Sequence, residues 1–300
     1  MNRKFEWRLS ALCLGVALTF SAWAGAPKPD RQGPFKIAFL TDVHLNIPNH
    51  NSRTQGMRQA VAHAKSMGAQ LLIFGGDNAD LDKLKASDYH RADSLFGVFK
   101  SVAEGVGLPA YYTIGNHDRF YYHSDGTPDP DGTALFNRNF GEADHTFDFR
   151  GIRFIVINSV LKGENQPYYY RPEQLEWLQG RLREAGTDRP IILITHVPLV
   201  SLYYPAMQGR IRDLDVIANF GEIWKLLEGH HIVAVLQGHQ HLHEEMLSKG
   251  IWFLTGGSVC GNWWVGDLGG TQEGYLMLTC DPATDTYSWE YVDYGWIPEK

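Results

Sequence analysis

The chain has 300 residues, and its 27 lysines and arginines against 34 aspartates and glutamates give a formal net charge of −7. Its 44% hydrophobic and 20% charged residues are ordinary for a globular protein, which excludes intrinsic disorder and collagen-like repetition. The length suits one large domain or two small ones. The excess of acidic residues disfavours a protein that coats nucleic acid, because nonspecific binding to phosphates needs a cationic surface.

The first 24 residues have the pattern of a secretory signal peptide. Three basic residues within the first eight precede an uncharged stretch, residues 9–27. Ala22 and Ala24 supply the small side chains of a cleavage site, so we predict cleavage after Ala24 and, as a second choice, after Ala26. A retained membrane anchor is the alternative, but a span needs about 20 apolar residues and serine, glycine and threonine dilute this stretch.

Cleavage would leave residues 25–300 as a single catalytic domain in the periplasm or outside the cell. The loss of three basic residues and one acidic residue would leave 24 cations and 33 anions, a net charge of −9. We expect no stable association of this domain with the membrane.

After this segment, short apolar runs that are typical of buried strands alternate with amphipathic helical patterns. The predicted strands are residues 35–41, 71–74, 111–114, 154–157, 191–194 and 232–236, with further strands in the tail from Ile251. The predicted helices are residues 52–67, 89–106 and 172–182. Two stretches are predicted to be loops, residues 119–142 and 197–213. This alternation predicts an α/β fold.

Several of the apolar runs end directly in side chains that can bind metals. In chain order these are Asp42 with His44, Asp77, Asn116 with His117 and Asp118, His196, and His239 with His241. Ligand sites of α/β sheets form beyond the carboxyl ends of strands, so these five fragments can converge on one crevice. Each fragment alone is common, but all five together indicate a metal site.

The order of the fragments, D-x-H, G-D, G-N-H-D, H and G-H-x-H, resembles the calcineurin-like metallophosphoesterase family from about residue 36 to 245. The resemblance implies a four-layer α/β/β/α sandwich of two facing mixed sheets and a dinuclear metal centre. The first metal would be held by Asp42, His44, Asp77 and His241. The second would be held by the bridging Asp77 together with Asn116, His196 and His239.

The resemblance also implies hydrolysis of a small-molecule phosphate ester. Oxygen and imidazole ligands suit Mn, Fe, Zn or Ni, as two divalent ions or a mixed-valence pair. Two such metals can share a water and present hydroxide in line with phosphorus. His117, at the position of the family's catalytic histidine, would assist the leaving group. Asp118 would fix the orientation of the His117 ring, with a turn carboxylate as the alternative.

The acidic net charge does not exclude such a substrate. Two divalent cations bring about +4 against about −2 from Asp42 and Asp77, so the metal charge would dominate the site locally. Asp80 and His44 stand where purple acid phosphatases have tyrosine and glycine, and the motifs look more like bacterial cyclic-nucleotide and glycerol-type phosphodiesterases. We therefore expect a phosphodiesterase. The alternatives are a phosphomonoesterase or nucleotide-sugar pyrophosphatase and, from another class, a noncatalytic metal-binding scaffold.

Some further residues each have two interpretations. Trp263 and Trp264 could stack on a base or sugar, or pack in the core. Asp80 could support a ligand histidine or end a turn. Arg119 could contact a phosphate or form a surface salt bridge. Finally, two cysteines of the mature chain could form a disulfide or remain free thiols: Cys260 and Cys280.

We predict that protein recovered from the periplasm begins at Gly25 or Pro27, because the small residues before these positions fit a signal-peptidase site. N-terminal sequencing of the purified protein measures this directly. Recovery of an intact Met1 in the membrane fraction would instead support a retained anchor.

Overall fold

A computed structural model describes residues 33–162, 167–211 and 215–298. The predicted signal peptide, residues 1–24, lies outside these ranges, so its cleavage and a domain that starts at residue 25 stay predictions. Within the described residues, no helix combines the length and the apolar character that a membrane span requires.

The described residues form eleven strands and six α-helices. The strands are β1 (Phe35–Leu40), β2 (Ala69–Phe74), β3 (Ala110–Tyr112), β4 (His145–Phe149), β5 (Ile152–Val156), β6 (Ile191–Ile194), β7 (Ile232–Gln237), β8 (His243–Ser248), β9 (Ile251–Gly256), β10 (Gly274–Asp281) and β11 (Thr286–Asp293). The helices are α1 (His50–Ser66), α2 (Tyr89–Glu104), α3 (Ala134–Phe140), α4 (Pro172–Ala185), α5 (Tyr203–Gln208) and α6 (Phe220–Leu227).

The strands make two mixed sheets. In the first, with the order β11-β10-β1-β2-β3, β1 to β3 are parallel and β10 and β11 are antiparallel. In the second, with the order β4-β5-β6-β7-β9-β8, the four central strands are parallel and the two edge strands are antiparallel. This arrangement confirms the predicted α/β class with two mixed sheets.

The side chains of β1 show how the layers are held together. Successive residues of a strand point to opposite faces of the sheet. Ile37 and Phe39 are fully buried in an apolar cluster that includes Phe154 of the second sheet. Ala38 and Leu40 are equally buried, but they belong to the cluster formed with helices α1 and α2. The sheets thus pack on each other and helices cover their outer faces, in the predicted α/β/β/α order.

The structure corrects the two predicted loops. Helix α3 lies within residues 119–142, and helix α5 lies within residues 197–213. The many Asp, Gly and Pro residues around α3 are typical of turns, but Phe136 and Phe140 pack against Phe96 of α2 with ring centroids 6.2 and 4.9 Å away. Tertiary packing of an apolar face therefore outweighs the local composition.

The two cysteines of the described chain are free thiols. Cys260 and Cys280 are both buried and are not joined to each other. Burial raises the pKa of the Cys280 thiol to about 12, which keeps it protonated and unreactive at neutral pH. The free-thiol alternative, not the disulfide, is the one that the structure contains.

Candidate metal centre and active site

The metal-binding side chains of the five sequence fragments meet beyond the carboxyl ends of the parallel strands. They follow β1, β2, β3, β6 and β7, as the crevice rule predicts. Most are withdrawn from water: Asp42, His44 and His196 are 0% exposed and Asp77 is 2% exposed. The burial of acidic and imidazole groups destabilises the fold unless the groups are paired or bind a cation, so their burial requires an explanation.

Four side chains converge in the first half of the site. The Nε2 atom of His44 lies 3.1 Å from Nε2 of His241 and 3.6 Å from Oδ2 of Asp77. Nε2 of His241 lies 3.4 Å from Oδ1 of Asp42. Two imidazole nitrogens and two carboxylate oxygens that face one point form a donor set that suits a divalent transition metal. The residues present therefore fit a metal ion here.

The second half of the site shares Asp77 with the first. Nε2 of His196 lies 3.2 Å from Oδ2 of Asp77 and 3.2 Å from Oδ1 of Asn116. His239 also belongs to this group, because its ligand atom and those of Asp77 and His196 all lie within 4.8 Å of one another. Since the same Asp77 oxygen faces both halves, it stands where a carboxylate that bridges two ions is needed.

A glycine permits the close approach of the loops that carry Asp77 and Asn116. A Cβ atom at Gly115 would lie 2.0 Å from the backbone nitrogen of Asp77. Any other residue at this position would therefore push the two ligand loops apart.

Each buried ligand histidine is oriented by its second ring nitrogen. Nδ1 of His44 lies 2.7 Å from Oδ1 of Asp80, which also pairs with Arg53. Nδ1 of His196 donates to the carbonyl of Gly75, and Nδ1 of His241 donates to the carbonyl of Gly261. These bonds leave Nε2 of each ring turned towards the carboxylates, the arrangement that metal-binding histidines use. Asp80 thus holds the ring of His44, a candidate metal ligand, and is more than a turn residue.

The structure contradicts the predicted orienting role of Asp118. Nδ1 of His117 lies 2.9 Å from Oδ1 of Asp82, so Asp82 holds this ring. Asp118 instead accepts hydrogen bonds from three donors, each at 2.8 Å: the backbone amides of Gly115 and Ala79 and the side-chain amide of Asn78. Its side chain ties the two loops together.

The charges of the site set the protonation of its histidines. Burial lowers the pKa of His117, but the hydrogen bond to Asp82 and the charge of Asp77 outweigh burial and raise the pKa to about 9. Burial likewise lowers the pKa of His196, and the charge of Asp77 raises it to about 9. Both rings therefore hold a proton at neutral pH when no cation is bound, and a cation at His196 must displace that proton.

Five of the seven candidate ligand residues share an uncommon backbone conformation. Positive φ angles occur at Asp42 (56°), His44 (53°), Asp77 (51°), His239 (74°) and His241 (57°). This left-handed region costs an L-residue about 1–2 kcal/mol, and such strain concentrates at functional sites. Backbone hydrogen bonds of 2.9 Å hold two of these residues, from Asp42 to the carbonyl of Gly76 and from His44 to the carbonyl of Asp77.

Three other residues singled out in the sequence have different surroundings. Arg119 is 5% exposed and donates to the backbone carbonyls of Asp131, Val160 and Pro130, so it is neither a surface salt bridge nor open to a phosphate. Trp264 is buried, and its indole N–H donates to the carbonyl of Val43. Trp263 lies over the site, with its ring centroid 4.0 Å from that of His44.

Sequence reasoning missed two neighbours of the site. Asp82 lies only two residues after Asp80, but no local pattern connects it with His117. The thiol of Cys260 lies 3.8 Å from Nδ1 of His241. That nitrogen is bonded to the carbonyl of Gly261 and is not the one that faces Asp42, so the thiol lies behind the ligand ring.

Known proteins resemble this chain in sequence. Residues 35–243 match the profile of the family described as calcineurin-like phosphoesterase. The chain is 25% identical over 249 residues to the cAMP/cGMP dual specificity phosphodiesterase of Mycobacterium tuberculosis, which covers 78% of this chain and 69% of that protein. It is 24% identical over 233 residues to the 3′,5′-cyclic adenosine monophosphate phosphodiesterase CpdA of Escherichia coli K12, which covers 75% of this chain and 76% of that protein.

Solved structures show the same fold. A purple acid phosphatase, PPD1, from yellow lupin superposes with a TM-score of 0.62 at 14% identity over 89% of this chain and 53% of the other. A dimetal phosphatase from Danio rerio superposes with a TM-score of 0.54 at 12% identity over 83% of this chain and 96% of the other. At such identities the likeness establishes the sandwich fold alone.

We predict that Asp80→Ala lowers the affinity for Mn(II) about 10- to 100-fold, the usual effect of removing the partner of a ligand histidine. Without Asp80, neither the tautomer nor the orientation of the His44 ring is fixed. Titration calorimetry with Mn(II) measures the change. Asp88→Ala, which removes a surface partner of Arg91, is the matched control and should bind like the wild type. Equal affinities for both variants would contradict the assignment.

Proposed function

The chain belongs to the calcineurin-like phosphoesterase family and is a metal-dependent phosphoric ester hydrolase, and we propose that its substrates are small-molecule phosphodiesters. The observation that carries this proposal is the position of His117, whose ring centroid lies 5.1 Å from that of the ligand His44. An alkoxide is a poor leaving group, and a proton donor beside the metal site meets the need of a phosphate ester that releases one.

The charges near the site support a diester over a monoester. A phosphodiester carries one negative charge, whereas a monoester at neutral pH carries nearly two. Arg119, which directly follows the G-N-H-D motif, is 5% exposed and donates to three backbone carbonyls, so it is not open to the extra charge of a monoester. The M. tuberculosis and E. coli relatives, both described as cyclic-nucleotide phosphodiesterases, support the same choice.

The proposal includes two metal ions. Asp42, His44, Asp77 and His241 would hold one, and Asp77, Asn116, His196 and His239 would hold the other. Bound ions would supply Lewis acidity that lowers the pKa of the attacking water and offsets charge on the phosphoryl oxygens. The oxygen and imidazole donors suit Mn, Fe, Zn or Ni. Support comes from the Asp77 oxygen that faces both groups of ligands.

His117 would pass a proton to the leaving oxygen. Its Nδ1 is engaged by Asp82, which leaves Nε2 for the proton that the alkoxide takes up. The backbone amide of His117 also donates to Oδ1 of Asp77 at 2.8 Å, which ties the acid to the bridging ligand. Asp82 is in this proposal a positioning residue, because it acts through the ring that it holds.

We also propose that the enzyme acts outside the cytoplasm. The support is the basic, apolar and small-residue pattern of residues 1–24. Its test is the N-terminal sequence described above.

We predict that the purified enzyme with Mn(II) hydrolyses at least one of cAMP, cGMP and a glycerophosphodiester with a kcat/KM tenfold above those for a monoester and a UDP-sugar. Asp77→Asn should lose at least about 100-fold in kcat, because a neutral amide cannot bridge two cations as a carboxylate does. Asp93→Asn, at a surface ion pair with Arg138, is the control. A higher kcat/KM for the monoester would contradict the diester proposal. An unchanged kcat in Asp77→Asn would overturn the dinuclear assignment.

We predict that His117→Ala slows esters with poor leaving groups about 100-fold or more, since a proton donor contributes most where the departing alkoxide is most basic. Esters with good leaving groups should be slowed much less, and Asp82→Asn should follow the same trend with a smaller loss. The measurement is kcat for a series of diesters of rising leaving-group pKa. Equal slowing across the series would refute proton donation and leave a role in binding phosphate.

A further inference from the structure

We propose that Trp263 is a stacking surface for a nucleobase, so that the preferred substrates are phosphodiesters that carry a base close to the scissile bond. The inference rests on the proposed phosphodiesterase activity and adds the substrate class. It concerns the side of the site that lies beside His117, where the leaving group would depart.

The indole of Trp263 contacts three histidines of the site at once. Its ring centroid lies 4.0 Å from that of His44, 5.3 Å from that of His241 and 5.3 Å from that of His117. Trp263 therefore borders the first group of ligands and the proton donor together. A substrate whose leaving oxygen faces His117 has this ring as its neighbour.

Trp263 is not a core residue. It is 41% exposed, whereas the adjacent Trp264 is 8% exposed. Trp264 fills a gap that only a glycine leaves open, since a Cβ atom at Gly56 would lie 2.2 Å from its ring. The two interpretations thus apply to different residues of the pair. Trp264 packs in the core, and Trp263 presents a large apolar surface to solvent at the rim of a polar site.

The backbone holds Trp263 in this position despite strain. Trp263 and Trp264 have φ angles of 54° and 71°. A bulky residue at positive φ is an outlier, and two in succession require support from the surroundings. That support is local, because the amide of Trp264 donates to the carbonyl of Cys260 and the amide of Asn262 donates to that of Gly266.

The loop Ser258–Trp264 is also fastened to the segment that carries the first metal ligands. The amides of Val259 and Cys260 donate to the carbonyls of Thr41 and Asp42. In addition, the hydroxyl of Ser258 donates to the carbonyl of Asp42, and the indole of Trp264 donates to that of Val43. The position of Trp263 is therefore set relative to the ligands and does not depend on a mobile lid.

The covalent structure of a cyclic nucleotide fits this arrangement. In a 3′,5′-cyclic nucleotide the base is attached to C1′, only two carbons from the C3′ that bears the leaving oxygen. With that oxygen at His117, the base lies near a ring whose centroid is 5.3 Å away. Bases stack on tryptophan because both have extended π-faces. A glycerol phosphodiester has no such group and gains nothing from this surface.

The test compares cAMP with the abasic ribose 3′,5′-cyclic phosphate, which has the same phosphodiester ring without a base. We expect Trp263→Ala to lower kcat/KM for cAMP about tenfold, mainly through KM, as the loss of one base stack does. Hydrolysis of the abasic substrate should change less than threefold. Trp263→Phe should retain most of the activity on cAMP. Trp177→Ala, a tryptophan on α4 away from the site, is the control for loss of an indole.

Two outcomes would overturn the inference. An equal loss for both substrates would mean that Trp263 supports the metal ligands, and no loss for either would mean that it does not contact substrate. A binding measurement distinguishes failure of the stacking proposal from failure of the proposed hydrolytic activity. If neither diester is hydrolysed, calorimetry with 5′-AMP and ribose 5-phosphate still decides: tighter binding of AMP that Trp263→Ala abolishes supports the stacking surface, and equal binding by the wild type refutes it.

Discussion

Strain in the backbone at five of the seven candidate ligand positions is the constraint on which the site depends. Asp42, His44, Asp77, His239 and His241 all adopt positive φ, a conformation that ordinary residues avoid. It lets the chain turn sharply as soon as a strand ends. Such turns persist only when the surroundings determine them. Here the two-sheet core supplies that support, because the strands that lead into these turns are buried on both faces.

The fold and the convergence of the candidate ligands can be predicted from the sequence, because both depend on local patterns and one general rule. Apolar runs such as residues 232–236 identify buried strands without reference to partners. The rule that sites lie beyond the carboxyl ends of parallel strands then brings Asp77 and His196 together although 118 intervening residues separate them. No pairwise distance has to be known for that inference, and the structure places their Nε2 and Oδ2 atoms 3.2 Å apart.

The partners of the ligands are harder to predict, because they depend on how two loops face each other. Asp118 is the sequence neighbour of His117, yet it accepts hydrogen bonds from Gly115, Ala79 and Asn78. The ring is held by Asp82, which is 35 residues away. Adjacent side chains on a turn point in different directions, and only the packed loops show which one reaches the ring. For the same reason the sequence predicts a loop where α3 lies, because the burial of α3 comes from its packing on α2 and not from a local pattern.

The attachment of the loop Ser258–Trp264 has a consequence for how enzymes of this kind diverge. Residues 35–243 match the family profile, and this loop lies beyond them. Its hydrogen bonds to the segment of residues 41–43 end on backbone carbonyls, which any residue at those positions would provide. Under the proposed stacking role, a substitution at position 263 would change the preference for a base and leave these backbone bonds in place. The same candidate ligands would then serve different substrates through a change at one position, so a shared ligand set does not by itself establish a shared substrate.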